Sequence, residues 1–69
     1  GATMRTTPNM RNRLIDIRHQ PGTYPVDGND RRTFTALHRQ GLIQQEAIGW
    51  GVTDKGATLA DRLEQEHHQ

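Results

Sequence analysis

The side chains with the clearest chemical potential lie between residues 29 and 40. Arg31 and Arg32 stand together there, and Thr35 and Arg39 follow. At 100° per residue, Arg32, Thr35 and Arg39 fall on one face of a helix. A guanidinium fork pairs with guanine O6 and N7 or with a phosphate, and a threonine can contact a thymine methyl group. The spacing therefore predicts a surface that reads bases in a DNA major groove, with Arg31 reaching a phosphate.

Two other interpretations of this basic face stay open. Solvent-facing helices commonly carry such side chains without any partner, and the same face could also bind an acidic protein. Composition does not decide between them, because the net charge of +1 is too balanced to indicate nucleic acid by itself. Eight of the nine basic residues are arginine, which suits phosphate and guanine but is also common in proteins from GC-rich bacterial and phage genomes.

The helix that positions this face has recognisable ends. Asn29 or Asp30 is expected to cap its first turn, and the helix should run to about Gln40. Gly41 then suits the left-handed position after the last turn. Phe34 lies opposite the basic face, which predicts a clean separation of a buried side from a solvent side.

An earlier helix is predicted from Thr7, as its cap, to about His19. Pro8 suits the first helical position because it has no backbone N–H, and the proline at position 21 disfavours helix at position 20. Apolar residues follow in one stripe, at Met10, Leu14 and Ile17. Three arginines around the stripe could steer the chain toward phosphates, but a solvated surface is the expected role of Arg11, Arg13 and Arg18.

The rest of the chain alternates short extended segments with turns. Residues 23–26 are expected to be extended, with Tyr24 and Val26 on the same side and a proline that restricts them to an edge position. Residues 42–46 and 50–53 are predicted to pair as a hairpin around a turn that contains glycine.

A last helix is predicted to begin near Asp54 or Lys55, with Thr53 as its cap and an acid in its first turn. Its inner face would carry Leu59 and Leu63, with an alanine beside them. The hydrophobic core predicted for the whole chain is therefore Met10, Leu14, Ile17, Tyr24, Val26, Phe34, Leu37, Leu42, Val52, Leu59 and Leu63, with Ile43 and Trp50 joining it.

The segment RRTFTALHRQGLI, followed by GWGVTDKGATLADRL, resembles the second half of a winged helix-turn-helix domain. The matching positions are Leu37, Gly41, Leu42 and Ile43, then Val52, Thr53 and Gly56. The resemblance covers residues 8–64 and is strongest over 31–60. It implies a small α+β, winged-helix-like fold, mostly helical, with a wing of two or three short strands. One departure is that only residues 21–30 separate the first two helices, so the first helix of the helix-turn-helix is missing or reduced to a single turn.

The function that this resemblance implies is DNA binding by a small bacterial or phage transcription regulator. Helix 30–40 would lie in the major groove of double-stranded DNA, and the chain would act as a dimer. The DNA-binding residues would be Arg31, Arg32, Thr35, Arg39 and Lys55. Of these, Arg32, Thr35 and Arg39 would contact bases, while Arg31 and Lys55 would contact phosphates.

A protein-interaction module on the same scaffold is the alternative function. The reduced helix-turn-helix would then mean that DNA docking has been lost, and a phage protein that binds a host protein would fit this description. Ile48 and Trp50, both apolar and near the tip of the wing, would form the interface. The only tryptophan of the chain could instead fill space between the wing and the helices.

Other function classes lack their sequence signals. There is no nucleophile elbow, no phosphate-cradling glycine loop and no His-Glu pair at i, i+4, so we expect no enzyme activity and no cofactor. The four histidines, His19, His38, His67 and His68, do not combine with any cysteine, and we expect no metal site.

Location and domain organisation are also expectations from the sequence. No apolar run approaches the ~18–20 residues that span a bilayer, and the lack of cysteine fits the cytoplasm of a bacterial or phage-infected cell. Residues 1–3 resemble a cloning scar before Met4. We expect one domain over 4–66 and a flexible tail over 67–69.

Overall fold

Three helices and one antiparallel hairpin follow each other along the chain. The computed structural model describes residues 6–67, without the side chain of residue 67. The elements in order are α1 (Pro8–His19), α2 (Gly28–Arg39), β1 (Ile43–Gln45), β2 (Trp50–Val52) and α3 (Asp54–His67). The fold is therefore α+β and mostly helical, as the sequence predicts. The hairpin of β1 and β2, which we call the wing, has two strands. The predicted scar at 1–3 and positions 68–69 of the predicted tail lie outside the described residues.

α1 begins and ends where its local sequence predicts. The Thr7 hydroxyl oxygen accepts a hydrogen bond from the Met10 N–H at 3.2 Å, and Pro8 occupies the first helical position. The helix stops at His19, directly before the residue that precedes Pro21. Both ends are thus fixed by backbone chemistry within a few residues.

The cap of α2 lies two or three residues earlier than predicted. Its cap is Asp27, whose side chain accepts a hydrogen bond from the Asp30 N–H at 2.8 Å, and not Asn29 or Asp30. Asp30 cannot serve as the cap because its carboxylate is turned toward α1, as described below. The predicted end is confirmed, since Gly41 follows the helix with φ at +75°.

The segment between α1 and α2 contains no helix, and the core contacts predicted for Tyr24 and Val26 are wrong. Tyr24 is 59% exposed and Val26 is 82% exposed. Within the described chain, Thr23 alone of this segment pairs with a strand, through a bridge to Trp50. The ladder stops there because the Val26 N–H donates to the Asp30 carboxylate at 2.9 Å and Pro25 has no N–H to donate.

The hairpin is held against the turn that follows α1. Gly22 donates its N–H to the Trp50 carbonyl at 3.0 Å, and the Trp50 N–H donates to the Thr23 carbonyl at 2.9 Å. Gly49 has φ at +67°, and a Cβ there would lie 2.5 Å from the Gly22 carbonyl oxygen. Only glycine permits this approach, so the turn of the wing and the turn after α1 form one unit.

Thr53 attaches the start of α3 to the end of α2. The Thr53 hydroxyl donates to the Gly41 carbonyl at 2.6 Å and accepts from the Gly56 N–H at 3.1 Å, which confirms Thr53 as the cap. A Cβ at Gly56 would lie 1.9 Å from the Leu42 carbonyl oxygen, so α3 passes directly over the chain there. The cap therefore fixes both the helix start and its position.

The core lies where α1 meets α2, α3 and the hairpin. Its buried members are Met10, Leu14, Ile17, Phe34, Leu37, Leu42, Ile43 and Ala60. Several predicted members are only partly buried and pack around its edge, namely Trp50, Val52, Leu59 and Leu63. The predicted core is thus largely confirmed, apart from Tyr24 and Val26. The described residues contain no helix that could cross a membrane.

Candidate nucleic-acid interface

The outward side of α2 brings four of the predicted DNA-binding residues together. We call these four exposed residues the arginine face: Arg31, Arg32, Thr35 and Arg39. They line one shallow surface groove of about 380 Å³, to which Gly28 and Ala36 also contribute. The two small residues leave room between the longer side chains, so a ligand can approach the helix closely at this point.

The positive charge of the arginine face is not balanced by nearby carboxylates of the described residues. Among residues 6–67, Arg31, Arg32 and Arg39 make no ion pair with any carboxylate. The only acid within α2 is Asp30, which is turned toward α1. The outward side therefore presents three guanidinium groups to solvent, and such a cluster attracts polyanions.

Thr35 takes part in this face in a restricted way. Its hydroxyl donates a hydrogen bond to the Arg31 carbonyl at 2.9 Å, four residues back along the helix. The hydroxyl proton of Thr35 is therefore already used in a hydrogen bond within α2. A partner could therefore contact the Thr35 methyl group, as a thymine methyl would. It could also donate a hydrogen bond to the Thr35 hydroxyl oxygen.

The length of the arginine face matches a dimension of DNA. Arg31 and Arg39 are separated by eight residues, which corresponds to about 12 Å along a helix axis. The major groove of B-DNA is also about 12 Å wide. Arginines at the two ends could therefore reach opposite walls of the groove while the residues between them face its floor.

An ion pair braces α2 from the inward side. The Arg13 guanidinium donates from Nη2 to Asp30 Oδ2 at 2.9 Å, and its Nε lies 2.8 Å from Oδ1. The direction of the Nε contact is poor for a hydrogen bond, so this second contact is an electrostatic approach. The two side chains are only 21% and 13% exposed. The guanidinium carbon also lies 5.1 Å from the centre of the Phe34 ring.

This ion pair corrects the expectation that Arg13 is part of a solvated surface. Sequence reasoning missed the pair because it treated the arginines of α1 as equivalent. One signal could have found it, since Arg13 lies three residues after Met10 and four before Ile17, on the edge of the buried stripe. Arg18 behaves as expected on the exposed side, where its Nε lies 3.6 Å from Asp61.

Trp50 braces α2 from the wing. Its ring meets the Phe34 ring edge-on with centres 6.0 Å apart, and the His38 ring with centres 5.2 Å apart. Trp50 is partly buried and packs against the core, as expected for a residue that fills space between wing and helices. Ile48, at the tip of the wing, is 71% exposed. The two residues predicted as a protein interface therefore have different surroundings.

Lys55 lies apart from the arginine face. Its Nζ donates to the Gln40 carbonyl at 3.1 Å, directly after the last residue of α2. A cation at this end of a helix is favourably placed relative to the helix dipole. Lys55 lines a different surface groove together with residues of α3, so a partner would have to extend past the end of α2 to reach it.

Metal-binding side chains do not cluster in the described part of the chain. The described side chains, those of residues 6–66, include no group of three or more histidine, aspartate or glutamate residues arranged to hold a metal ion. His19 instead pairs with Glu64 of α3, with 2.5 Å between Nε2 and Oε1.

No protein-family model matches the sequence, and no curated protein or solved structure matches it either. The function is therefore inferred from the chemistry and geometry of the surfaces described above.

Proposed function

We propose that the chain is a DNA-binding protein of the winged-helix type, a small transcription regulator of bacterial or phage origin, with α2 in the major groove. The observation that carries this proposal is the separation of charge across α2. The one acid of the helix is neutralised inside by Arg13, whereas Arg31, Arg32 and Arg39 on the outside have no acidic partner in the described part of the chain. A helix arranged in this way presents a positive edge of suitable length to a polyanion.

The contacts divide into two classes on this proposal. Arg32, Thr35 and Arg39 contact base edges, whereas Arg31 and Lys55 contact phosphates and fix the register. The two phosphate contacts, Arg31 and Lys55, would release counterions on binding, and the logarithm of the association constant should fall with the logarithm of salt concentration with a slope of about −2.

The missing helix of the helix-turn-helix does not weigh against this function. In its absence, α2 is attached to α1 by the Arg13–Asp30 pair and to the wing by Trp50. A recognition helix must keep a fixed orientation in the groove, and these contacts support that requirement from two directions.

Fluorescence anisotropy on a labelled random duplex, followed by selection of preferred sequences from a duplex library, tests the proposal. Arg32→Ala combined with Arg39→Ala should weaken binding at least tenfold and relax the sequence preference, whereas Arg31→Ala should make the salt slope less steep by about 1. The matched control is Arg18→Ala combined with Arg62→Ala, which removes the same charge from exposed positions outside α2. Equal losses in the two double variants, or no binding by the unmodified protein, would rule out the α2 assignment.

A protein-interaction module remains the second candidate, and one observation favours it. Three large apolar side chains are exposed among the described residues, and they lie on the wing tip and on the segment before α2: Tyr24, Val26 and Ile48. Ile48 also lies against Gly22, next to that segment. Co-purification from the native host would favour this candidate if one protein were recovered by the unmodified chain, lost on Ile48→Asp and retained by the Arg32→Ala, Arg39→Ala variant.

A further inference from the structure

An open groove runs between α1 and α3, away from the arginine face. It has a volume of about 500 Å³. We call it the α1–α3 groove, and its lining is Pro8, Arg11, Asn12, Ile15, Leu63 and Glu66. No residue of α2 and none of the wing lines it, so a partner bound here would leave the proposed DNA-binding surface uncovered.

Two apolar side chains lie within the mostly polar lining of the groove. Ile15 and Leu63 pack against the core from its edge, but each is only partly buried. Ile15 lies off the buried stripe of α1, so the helix exposes an apolar side chain on the side where α3 passes. Further burial of these two side chains would remove apolar surface from water, which favours association.

The rim of the groove carries one charge of each sign. Arg11 and Glu66 are both exposed, and neither makes an ion pair with any described side chain, those of residues 6–66. Two other side-chain pairs join α1 and α3, Arg18–Asp61 and His19–Glu64, so these groups already have partners. The rim charges are therefore the ones still available to a partner.

We propose that the occupant of this groove is a second copy of the chain, related by a two-fold axis. In such a dimer the same patch serves on both copies, so a contact between residue 11 and residue 66 occurs twice. Arg11 of one copy then meets Glu66 of the other, while the Ile15 and Leu63 side chains meet at the centre. A surface with one basic and one acidic rim is complementary to itself under this symmetry.

The dimer would present two arginine faces to one partner. Paired recognition elements suit a two-fold symmetric DNA site with half-sites about one helical turn apart. The inference does not depend on DNA binding, however, because the groove and its charges belong to α1 and α3.

The expected affinity is modest. Stable interfaces bury about 800 Å² on each partner, which is about a sixth of the 5089 Å² surface of this chain. The groove offers a short apolar strip and two charge pairs, so we expect dissociation in the micromolar range, where dimer and monomer can both be observed.

Sedimentation equilibrium without DNA tests the proposal, using three samples besides the unmodified protein: Arg11→Glu, Glu66→Arg, and an equal mixture of the two. Each variant alone places like charges together twice and should dimerise at least tenfold more weakly. The mixture should recover dimer at the strength of the unmodified protein, because the acidic rim of one chain then faces the basic rim of the other.

The mixture separates contacts between chains from contacts within one chain, since only the former are restored by combining two variants. Circular dichroism checks that both variants keep their helices, which we expect because both positions are exposed. An unmodified protein that remains monomeric at several hundred micromolar would overturn the proposal. Variants that dimerise normally, or a mixture that does not recover, would overturn it as well. None of these outcomes affects the DNA test, which uses α2 variants.

Discussion

The two sides of α2 use charge in opposite ways. On the inward side, the Asp30 carboxylate is paired with Arg13 beside the ring of Phe34 and is mostly withdrawn from solvent. On the outward side, Arg31, Arg32 and Arg39 are exposed and have no acidic partner among the described residues. Arginine therefore attaches α2 to α1 on the inward side, and on the outward side it remains accessible to a binding partner.

This difference teaches that pairing and burial, rather than residue type, distinguish a structural arginine from a binding arginine. A charge that leaves water must be matched by a nearby opposite charge, because an unpaired one is costly to bury. A surface arginine stays solvated without this cost and remains accessible to a binding partner. If the comparison is correct, substitutions on the two sides should separate cleanly into effects on stability and effects on binding.

The largest expected effect is on the inward side, at Phe34. Phe34→Ala should lower the free energy of unfolding by about 3–5 kcal/mol, because it leaves a cavity between α1, α2 and Trp50. Urea denaturation followed by the fluorescence of the only tryptophan, 6.0 Å from Phe34, measures this. Phe34→Leu should retain enough stability for a full curve if the alanine variant is unfolded. Thr35→Ala, at the adjacent outward position, is the control. Equal denaturation midpoints for Phe34→Ala and Thr35→Ala would refute the assignment of the inward side of α2 to stability.

The next effect is expected from the Arg13–Asp30 pair. Arg13→Met or Asp30→Asn alone should cost about 1–3 kcal/mol, between the values for surface and buried pairs. The double variant should cost less than the sum of the two, because no uncompensated partner then remains. A double-mutant cycle on the exposed pair Arg18–Asp61 provides the comparison, with a coupling of about 0.5 kcal/mol or less. Similar couplings in the two cycles would show that the inward pair does not brace α2.

The smallest expected effect on stability is on the outward side. Arg31→Ala, Arg32→Ala and Arg39→Ala should each change the free energy of unfolding by no more than about 0.5 kcal/mol, since their side chains are exposed and have no acidic partner among the described residues. The same denaturation measurement checks this. A loss above about 1 kcal/mol at any of these positions would mean that the arginine contributes to folding, and the division between the two sides of α2 would fail there.

Local signals in the sequence predicted most of the element boundaries. Thr7 and Pro8 start α1, Thr53 caps α3, and Gly41 ends α2 in the left-handed region. Each of these features depends on the backbone of a few adjacent residues, so the local sequence contains the required information. The apolar stripe of α1 and the buried side of α2 were predicted for the same reason, since helical periodicity is a local property.

Predictions that depended on distant residues were less successful. Tyr24 and Val26 have the composition of a strand, but the Val26 N–H bonds to Asp30 and the ladder ends after Thr23. Asp30 resembles a cap, but Arg13, seventeen residues earlier, attracts its carboxylate and leaves Asp27 to cap the helix. Propensity could not reveal either outcome, because the deciding partner comes from another element.

The candidate site shows the same division. Periodicity alone placed Arg32, Thr35 and Arg39 on one face, and the structure adds Arg31 to it while placing Lys55 beyond the end of α2. The sequence by itself thus determined where the helices lie and which side of α2 is polar, because helix geometry follows from neighbours in the chain. Only the tertiary structure decided which arginine is paired, since an ion pair depends on distances across the fold that no spacing along the chain specifies.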